Sequence, residues 1–297
     1  MITVKTGIRP EEVRQQAQHV LFVEGKDNES VDPKTLSQLF DKTIRIEPMG
    51  ASYSVKSVAE ALFAYHPTYY FLIDRDHHDE NFVDRCWNNF PDPGTYNLLI
   101  WRKREIENYF LDPEYLQQSK YCKVSKDEIT RKILQFVNER LYLDVANHVV
   151  TSIREELKGT WINKFSNPAE FPSETTALAK LQSANEFEQH KNNVTEKVSG
   201  AEIETRFNDF LQKMTGGTNP LNFGHGEWIG MCQGKKIFTQ VINSGCFQVL
   251  GTSGAPLAGK EKLNAVVKDL LQKDSSIQPQ DFVSLKQLIE ARVSGSV

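Results

Sequence analysis

Short apolar runs separated by amphipathic segments organise the first third of the chain. Runs with the length of buried strands occupy residues 20–23, 43–47, 69–73 and 96–101. Residues 33–40 and 55–65 carry apolar side chains at helical spacing, and a charged helical stretch at 10–18 precedes the first run. Strands that alternate with helices in this way predict an α/β fold, with a mostly parallel sheet flanked by helices.

A mainly helical pattern replaces this alternation beyond residue 116. Residues 126–158 form a long helical pattern whose apolar stripe consists of Ile129, Ile133, Phe136, Val137 and Leu141. Residues 185–204 are polar and predict a helix or an exposed connection, and a Gly-Gly-Thr-Asn-Pro break follows at 216–220. We therefore expect an α/β core over residues 1–116 and a mainly helical part over residues 117–297.

The composition is that of an ordinary globular protein, and it bears on whether membranes or nucleic acid can be partners. Of the 297 residues, 39% are hydrophobic and 25% are charged, and the net charge is −4. No apolar run approaches the roughly 20 residues that span a bilayer, and the polar N-terminus lacks a signal-peptide pattern, so we expect a cytoplasmic protein without a membrane partner. Because the chain is mildly acidic, a nucleic-acid site would have to be local and use divalent metals.

Acidic residues stand directly after three of the predicted strands. Glu24 follows the first run, Asp74 and Asp76 follow the third, and Glu105 and Glu107 follow the fourth. The carboxyl ends of parallel strands meet at one edge of a sheet, so we expect these carboxylates to lie together. Crowded carboxylates need a cation between them, and oxygen ligands suit Mg²⁺ or Mn²⁺. The polarity of loops explains one such acid, but three strands ending in acids favour a metal site.

The Asp-x-Asp spacing strengthens this interpretation. In an extended segment, residues i and i+2 point to the same side. Asp74 and Asp76 are therefore expected to face one metal region, while Arg75 points elsewhere.

These residues form motifs that resemble a known family. Val-Glu-Gly-Lys-Asp at 23–27, followed by Leu-Ile-Asp-Arg-Asp at 72–76, is similar to the Toprim domain of topoisomerases, primases and several nucleases. The stretch Arg-Glu-Ile-Glu-Asn-Tyr-Phe-Leu at 104–111 resembles the Toprim nucleases of the overcoming-lysogenization-defect group. It resembles more closely the Toprim effectors that work with an ABC-type ATPase in the PARIS anti-phage system. The resemblance covers about residues 16–116 and reaches further only through the Gly-Lys pair at 234–235.

The resemblance implies a role for four residues in particular. Glu24 is implied as a metal ligand or general acid/base, and Asp74 and Asp76 are implied as the metal-binding pair. Lys235 matches a Gly-Lys element that follows the helical section of related nucleases. Its implied catalytic role is to neutralise the charge that develops on the phosphate.

Further positions have a less sharply defined role. Asp27 lies near the place where related nucleases carry another metal-binding acid. Of the two acids after the fourth strand, we favour Glu107 as the metal ligand because its apolar neighbours have the character of packing residues, and Glu105 stays an alternative. His77 is a candidate for a supporting or substrate-contact role.

The resemblance also implies a biological function. We expect a Mg²⁺- or Mn²⁺-dependent endonuclease that hydrolyses phosphodiester bonds by a two-metal mechanism. Its implied role is that of a toxic anti-phage effector, restrained and released by an ABC-type ATPase partner, with tRNA favoured over DNA as the nucleic-acid substrate and a homodimer as the active state. Two alternatives stay open: a DNA endonuclease or nickase of the overcoming-lysogenization-defect type, and a non-catalytic Toprim module for binding and dimerisation.

Overall fold

A parallel sheet underlies the computed structural model, which describes residues 19–28, 30–41, 43–63, 65–76, 78–90, 97–158 and 167–294. The four strands found in these residues are β1 (Val20–Val23), β2 (Arg45–Pro48), β3 (Tyr69–Ile73) and β4 (Leu98–Ile100). Their order is β2-β1-β3-β4, and every pairing is parallel. The protein therefore has the α/β class that the alternating sequence pattern predicts.

The strand sequences explain why the sheet is covered on both faces. Every residue of β1 and of β3 is buried, and both strands consist of aliphatic and aromatic side chains. Continuous apolar runs of this kind belong to strands that helices cover on both sides. Strand β3 has the predicted bounds and β1 matches the predicted run, whereas β2 begins two residues later than expected. Strand β4 is shorter than the predicted 96–101, of which residue 96 lies outside the described residues.

Helices connect these strands and cover the sheet. They are α1 (Val31–Leu39), α2 (Ser52–Leu62) and α3 (Glu80–Asn88). Helix α1 contacts β2, α2 contacts β1 and β3, and α3 contacts β4. The sequence pattern predicts α1 and α2 but not α3, whose start is set by Asp79: its side chain accepts the Phe82 N–H at 2.9 Å. The helical stretch predicted at 10–18 lies outside the described residues.

The chain after β4 is mainly helical, as the sequence predicts. Its α-helices are α4 (Pro113–Gln117), α5 (Lys126–Lys158), α6 (Glu174–Gln182), α7 (Asn185–Lys197), α8 (Gly200–Thr215), α9 (Trp228–Met231), α10 (Gly234–Val241), α11 (Gly259–Leu271) and α12 (Gln280–Val293). A 3₁₀ helix, Ile106–Phe110, lies between β4 and α4. The polar segment predicted at 185–204 is helical and is divided between α7 and α8.

The described residues divide into two compact units, one of them discontinuous in sequence. The first unit contains the sheet, extends to Glu139 and resumes at Ile229, and the second is Arg140–Trp228. This division differs from the expected boundary after residue 116. The reason is that the C-terminal segment returns to pack with the α/β core.

An aromatic cluster ties the returning segment to the sheet. Phe282 of α12 contacts the rings of Trp101, Tyr109 and Phe110 at centroid distances of 5.7, 5.2 and 5.6 Å. Phe238 of α10 stacks on Phe110 at 5.1 Å. All these rings are buried, and aromatic pairs of this kind add about 0.5–1.5 kcal/mol each beyond the area that they bury. Helices α10 and α12 are thus integral to the unit that contains the sheet.

Helix α5 has the predicted bounds, and most of its apolar stripe is buried. The buried stripe positions are Ile129, Ile133, Val137 and Leu141. Buried positions offer no surface to a second copy, so this stripe gives no support to the expected homodimer. None of the helices in the described ranges is long and apolar enough to cross a membrane.

Candidate functional site at the carboxyl edge of the sheet

The strand order creates a switch point between β1 and β3, with β2 on the far side of β1 and β4 on the far side of β3. Ligands of α/β proteins bind at such a point, beyond the carboxyl ends of the strands. Glu24 directly follows β1 and Asp74 directly follows β3. The Asp74 N–H donates to Glu24 Oε1 at 2.9 Å, so the two acids are held side by side.

The turn after β1 brings another acid, Asp32, to the same edge. Gly25 has a φ of +142°, and it exchanges two backbone hydrogen bonds with Gly50, at 2.9 and 2.7 Å. A Cβ on Gly25 would lie 3.0 Å from Pro33 Cγ, so the start of α1 folds directly over this glycine. Asp32 lies in the first turn of α1, and its carboxylate is the strongest charge acting on Asp74.

Asp27 takes part in the turn between β1 and α1. It is exposed, and its Oδ1 accepts the hydroxyl of Ser30 at 3.3 Å. The Ser30 N–H donates to the Asp27 carbonyl at 3.1 Å. These bonds give Asp27 a local role in shaping the turn.

Asp76 is exposed and lies in a left-handed backbone conformation. Strand β3 ends at Ile73, and the φ of Asp76 is +44°. Strand alternation, which is the basis for expecting Asp74 and Asp76 on one side, therefore does not extend to this turn. The Asp76 carboxylate still lies close enough to Glu24 to raise the pKa of that residue.

A hydrogen-bonded clamp holds the segment after β4. Tyr109 Oη donates to Asp281 Oδ2 at 2.5 Å and accepts the N–H groups of Arg102 and Lys103 at 3.0 and 3.1 Å. The Arg102 guanidinium donates to Asp281 Oδ1 at 2.8 Å and lies over the Trp87 ring at 4.4 Å. Burial and the Asp281 charge raise the pKa of Tyr109 well above its usual value, so its hydroxyl stays a proton donor. The clamp thereby fixes the segment that carries the next two acids.

Glu105 and Glu107 have different environments. Glu105 Oε2 accepts the Lys235 N–H at 2.7 Å, and its carboxylate also accepts the Asn108 N–H in a capping box. Glu105 therefore caps the start of α10. Glu107 is only 2% exposed, and its Oε1 has no hydrogen-bond partner among the described residues. Glu107 thus has an oxygen atom available for a ligand, whereas Glu105 is engaged with backbone.

Lys235 lies beside these acids, although it comes far later in the sequence. Partial burial on its own would lower the pKa of Lys235. The neighbouring carboxylates, above all Glu107 and then Asp32, outweigh that effect and raise the pKa above its ordinary value. The ammonium group is therefore protonated at neutral pH, and its charge also acts on Glu24.

Four acids, Glu24, Asp32, Asp74 and Glu107, share this edge, and we call them the acidic cluster. Burial is the largest cause of a raised pKa in each of them. Mutual repulsion adds to it: the Glu107 charge raises the pKa of Asp32, and the Asp32 charge raises that of Asp74. The pKa of Glu107 rises to about 7. At neutral pH the cluster therefore needs bound protons or a compensating cation.

Two orphaned oxygen atoms indicate what the acidic cluster can bind. Asp74 Oδ1 and Glu107 Oε1 are buried and accept no hydrogen bond from the described residues. Buried carboxylate oxygens without a donor suit a proton or a hard cation such as Mg²⁺ or Mn²⁺, so the donor set fits a divalent ion. Within the part of the chain that the structure describes, no three Asp, Glu, His or Cys side chains form a group that could hold a metal ion as they stand. The two orphaned oxygen atoms, and not a preformed ligand group, are therefore the basis for expecting an ion at this edge.

A second positive charge lies at this edge of the sheet. Lys56 of α2 lowers the pKa of Glu24, and its Nζ is 2.7 Å from His78 Nε2. His78 is held in place by its N–H, which donates to the Arg75 carbonyl at 2.8 Å. The neighbouring His77 lies outside the described residues.

No family model matches the sequence, no curated protein is significantly similar to it, and no solved structure is significantly similar to the structure.

Asp32, Lys56 and Asn108 are residues of this edge that sequence reasoning misses. Asp32 directly precedes the helix predicted at 33–40, and a helix that follows a strand of a parallel sheet begins at the carboxyl edge. That position was a signal for Asp32. Asn108 carries no such signal, because its partners come more than a hundred residues later in the chain.

Proposed function

We propose that the chain is a divalent-metal-dependent endonuclease with a Toprim-type core. The acidic cluster beside Lys235 carries this proposal, because it combines raised carboxyl pKa values, two orphaned oxygen atoms and a protonated lysine at the switch point of a parallel sheet. Metal-dependent phosphodiester hydrolysis uses oxygen ligands to hold the cations, and a fixed positive charge can stabilise the charge that develops on the phosphate. The motifs at 23–27, 72–76 and 104–111 support the same activity through their family resemblance.

The residues at this edge have distinct tasks in the proposal. Glu24, Asp74 and Glu107 would hold Mg²⁺ or Mn²⁺, with Asp76 at the exposed side of the site. A bound ion would activate water and polarise the phosphoryl group. Glu24 has a raised pKa and so exchanges a proton nearer to neutral pH than a surface glutamate, as a general acid or base does. Lys235 would pair with the phosphate oxygens.

The proposed substrate is nucleic acid, and tRNA is favoured over DNA on the family resemblance alone. A chain with a net charge of −4 must attract nucleic acid through local cations, and Lys56 and Lys235 lie at the site. The proposed role is that of an anti-phage effector in the cytoplasm, active as a homodimer. A nuclease that is toxic to its host must be restrained, and the proposed restraint is an ABC-type ATPase.

The decisive experiment is a cleavage assay with purified protein, using tRNA and plasmid DNA in Mg²⁺, Mn²⁺ or EDTA. We expect cleavage by the wild type in Mg²⁺ or Mn²⁺, and none in EDTA or with Asp74→Asn. Asp127→Ala is the matched control, because Asp127 is an exposed acid in the first turn of α5 and its loss should leave cleavage unchanged. Cleavage that survives EDTA or Asp74→Asn would contradict the proposal. A wild type that binds nucleic acid without cutting it would favour the non-catalytic module.

The biological role has a separate test in bacterial cells. Expression of the wild type should be toxic, and expression of Glu24→Ala should be harmless. Co-expression with a PARIS-type ABC ATPase should suppress the toxicity of the wild type. Undiminished toxicity in its presence would overturn the proposed restraint and leave the nuclease assignment intact.

A further inference from the structure

Asn108 joins two segments that are distant in sequence. Its side chain is completely buried, and Nδ2 donates to the carbonyl oxygens of Ile229 and Cys232 at 2.7 and 2.9 Å. Its Oδ1 accepts the Glu105 N–H at 3.0 Å. A carboxamide satisfies two acceptors and one donor here, which neither a carboxylate nor an aliphatic side chain of this size does.

The start of α10 is built directly against this carboxamide. A Cβ on Gly234 would lie 2.3 Å from Asn108 Oδ1 and 2.7 Å from the Asn108 backbone nitrogen, so only glycine fits there. The next residue, Lys235, donates its N–H to Glu105 Oε2 at 2.7 Å. Asn108 and its capping partner Glu105 therefore fix the point from which the Lys235 side chain extends.

Backbone contacts beside Asn108 complete the junction. The Arg104 N–H donates to the Gly230 carbonyl at 2.8 Å, and the Arg104 guanidinium donates to the Met231 carbonyl at 3.1 Å. Asn108 is the buried centre of this junction, and it directly follows Glu107 in the same 3₁₀ turn. The Asn108 side chain thus lies in the same turn as Glu107, but its own hydrogen bonds anchor the segment that leads into α10 and Lys235.

We infer that Asn108 is a positioning residue that acts through Lys235. This inference rests on the proposed nuclease function, because the position of Lys235 matters only if its ammonium group meets a phosphate. A displacement of about 1 Å can cost on the order of 100-fold in rate. Loss of Asn108 should therefore lower kcat by that order and change KM little, because the bulk of the nucleic-acid contacts remains.

The test is a double-mutant cycle on cleavage with Asn108→Ala, Lys235→Ala and the double variant. If Asn108 acts through Lys235, the double variant is no slower than Lys235→Ala. Asn97→Ala is the matched control: Asn97 is also buried, and its amide donates to the carbonyls of Pro67 and Tyr69 at the opposite end of β4. This control should lose stability and keep its kcat per folded molecule.

A milder variant and a measurement that needs no activity keep the inference open to refutation. Asn108→Ser is a milder variant should Asn108→Ala fold poorly. Hydrogen exchange at the Lys235 N–H reports the junction without any need for activity, and it should become at least tenfold faster in Asn108→Ser than in the wild type or Asn97→Ala.

The outcomes separate this inference from the proposed function. A wild type that cuts nucleic acid while the Asn108 variants keep kcat, or while their effect multiplies with that of Lys235→Ala, would overturn the inference alone. A wild type that does not cut would overturn the proposed function. In that case, unchanged exchange at the Lys235 N–H would overturn the positioning of Lys235 as well, and faster exchange would support it.

Discussion

Replacing Glu107 by glutamine should stabilise the metal-free protein, and the gain should depend on pH. Glu107 is buried, its Oε1 has no partner among the described residues, and burial together with the Glu105 charge raises its pKa from 4.5 to about 7. The folded state therefore binds the proton of Glu107 more tightly than the unfolded state does. Glutamine keeps the shape of the side chain and removes the charge that the fold disfavours.

The size of the effect follows from the pKa of Glu107. The difference between 4.5 and about 7, at 1.36 kcal/mol per pH unit, gives an upper limit of about 3 kcal/mol. The pKa is raised in the folded state, so the destabilisation is absent below pH 4.5, grows as the pH rises and is complete above pH 7. Glu107→Gln should thus gain about 3 kcal/mol in the free energy of unfolding at pH 8 and under about 1 kcal/mol at pH 5.

Urea unfolding in EDTA at pH 5 and pH 8 measures this difference. Asp127→Asn is the control, because Asp127 is an exposed acid in the first turn of α5, and its replacement should change the free energy of unfolding by less than about 0.5 kcal/mol at both pH values. Adding Mg²⁺ should stabilise the wild type at pH 8 and have little effect on Glu107→Gln. A gain that is equal at the two pH values, or a loss at pH 8, would refute the electrostatic reasoning.

Other substitutions test the geometry around the site. Asp76→Asn should abolish cleavage and change the free energy of unfolding by less than about 0.5 kcal/mol, because Asp76 is exposed and asparagine also tolerates its left-handed backbone; retained cleavage would remove it from the site. Gly25→Ala should lower the free energy of unfolding by about 1–3 kcal/mol in urea titrations, since its Cβ would press on Pro33 at a φ of +142°. Tyr109→Phe should lower the free energy of unfolding by about 1–3 kcal/mol in the same titrations, because the Arg102 and Lys103 N–H groups lose their acceptor and Asp281 loses a donor. An unchanged unfolding midpoint would contradict the role of the clamp.

The elements that can be predicted from the sequence are those with strong local signals. Strand β3 and helix α5 have the predicted bounds, because an uninterrupted apolar run and a long amphipathic repeat each determine their own structure. Helix α3 is not predicted, since its nine residues are mostly polar and its start depends on the cap at Asp79. The placement of Glu24 and Asp74 follows from strand direction alone.

Contacts between distant segments cannot be predicted from one sequence in the same way. Nothing local indicates that Glu105 caps a helix far along the chain, or that Gly234 must be glycine because it packs against Asn108. The Asp-x-Asp spacing at 74 and 76 looks like strand alternation, but the strand ends before it and the backbone turns left-handed. The details of the site depend on tertiary contacts that local patterns do not encode.

The site is built at a cost to stability, and its surroundings offset that cost. Four carboxyl groups with raised pKa values, two of them with orphaned oxygen atoms, destabilise the metal-free protein at neutral pH. The groups of the neighbouring clamp are hydrogen-bonded, the rings of the aromatic cluster are buried, and both hold the same segment that bears Glu107. The well-packed clamp and aromatic cluster therefore lie next to the mutually repelling carboxylates of the acidic cluster. A binding site for cations requires this arrangement, because rigid surroundings keep repelling carboxylates together until a ligand neutralises them.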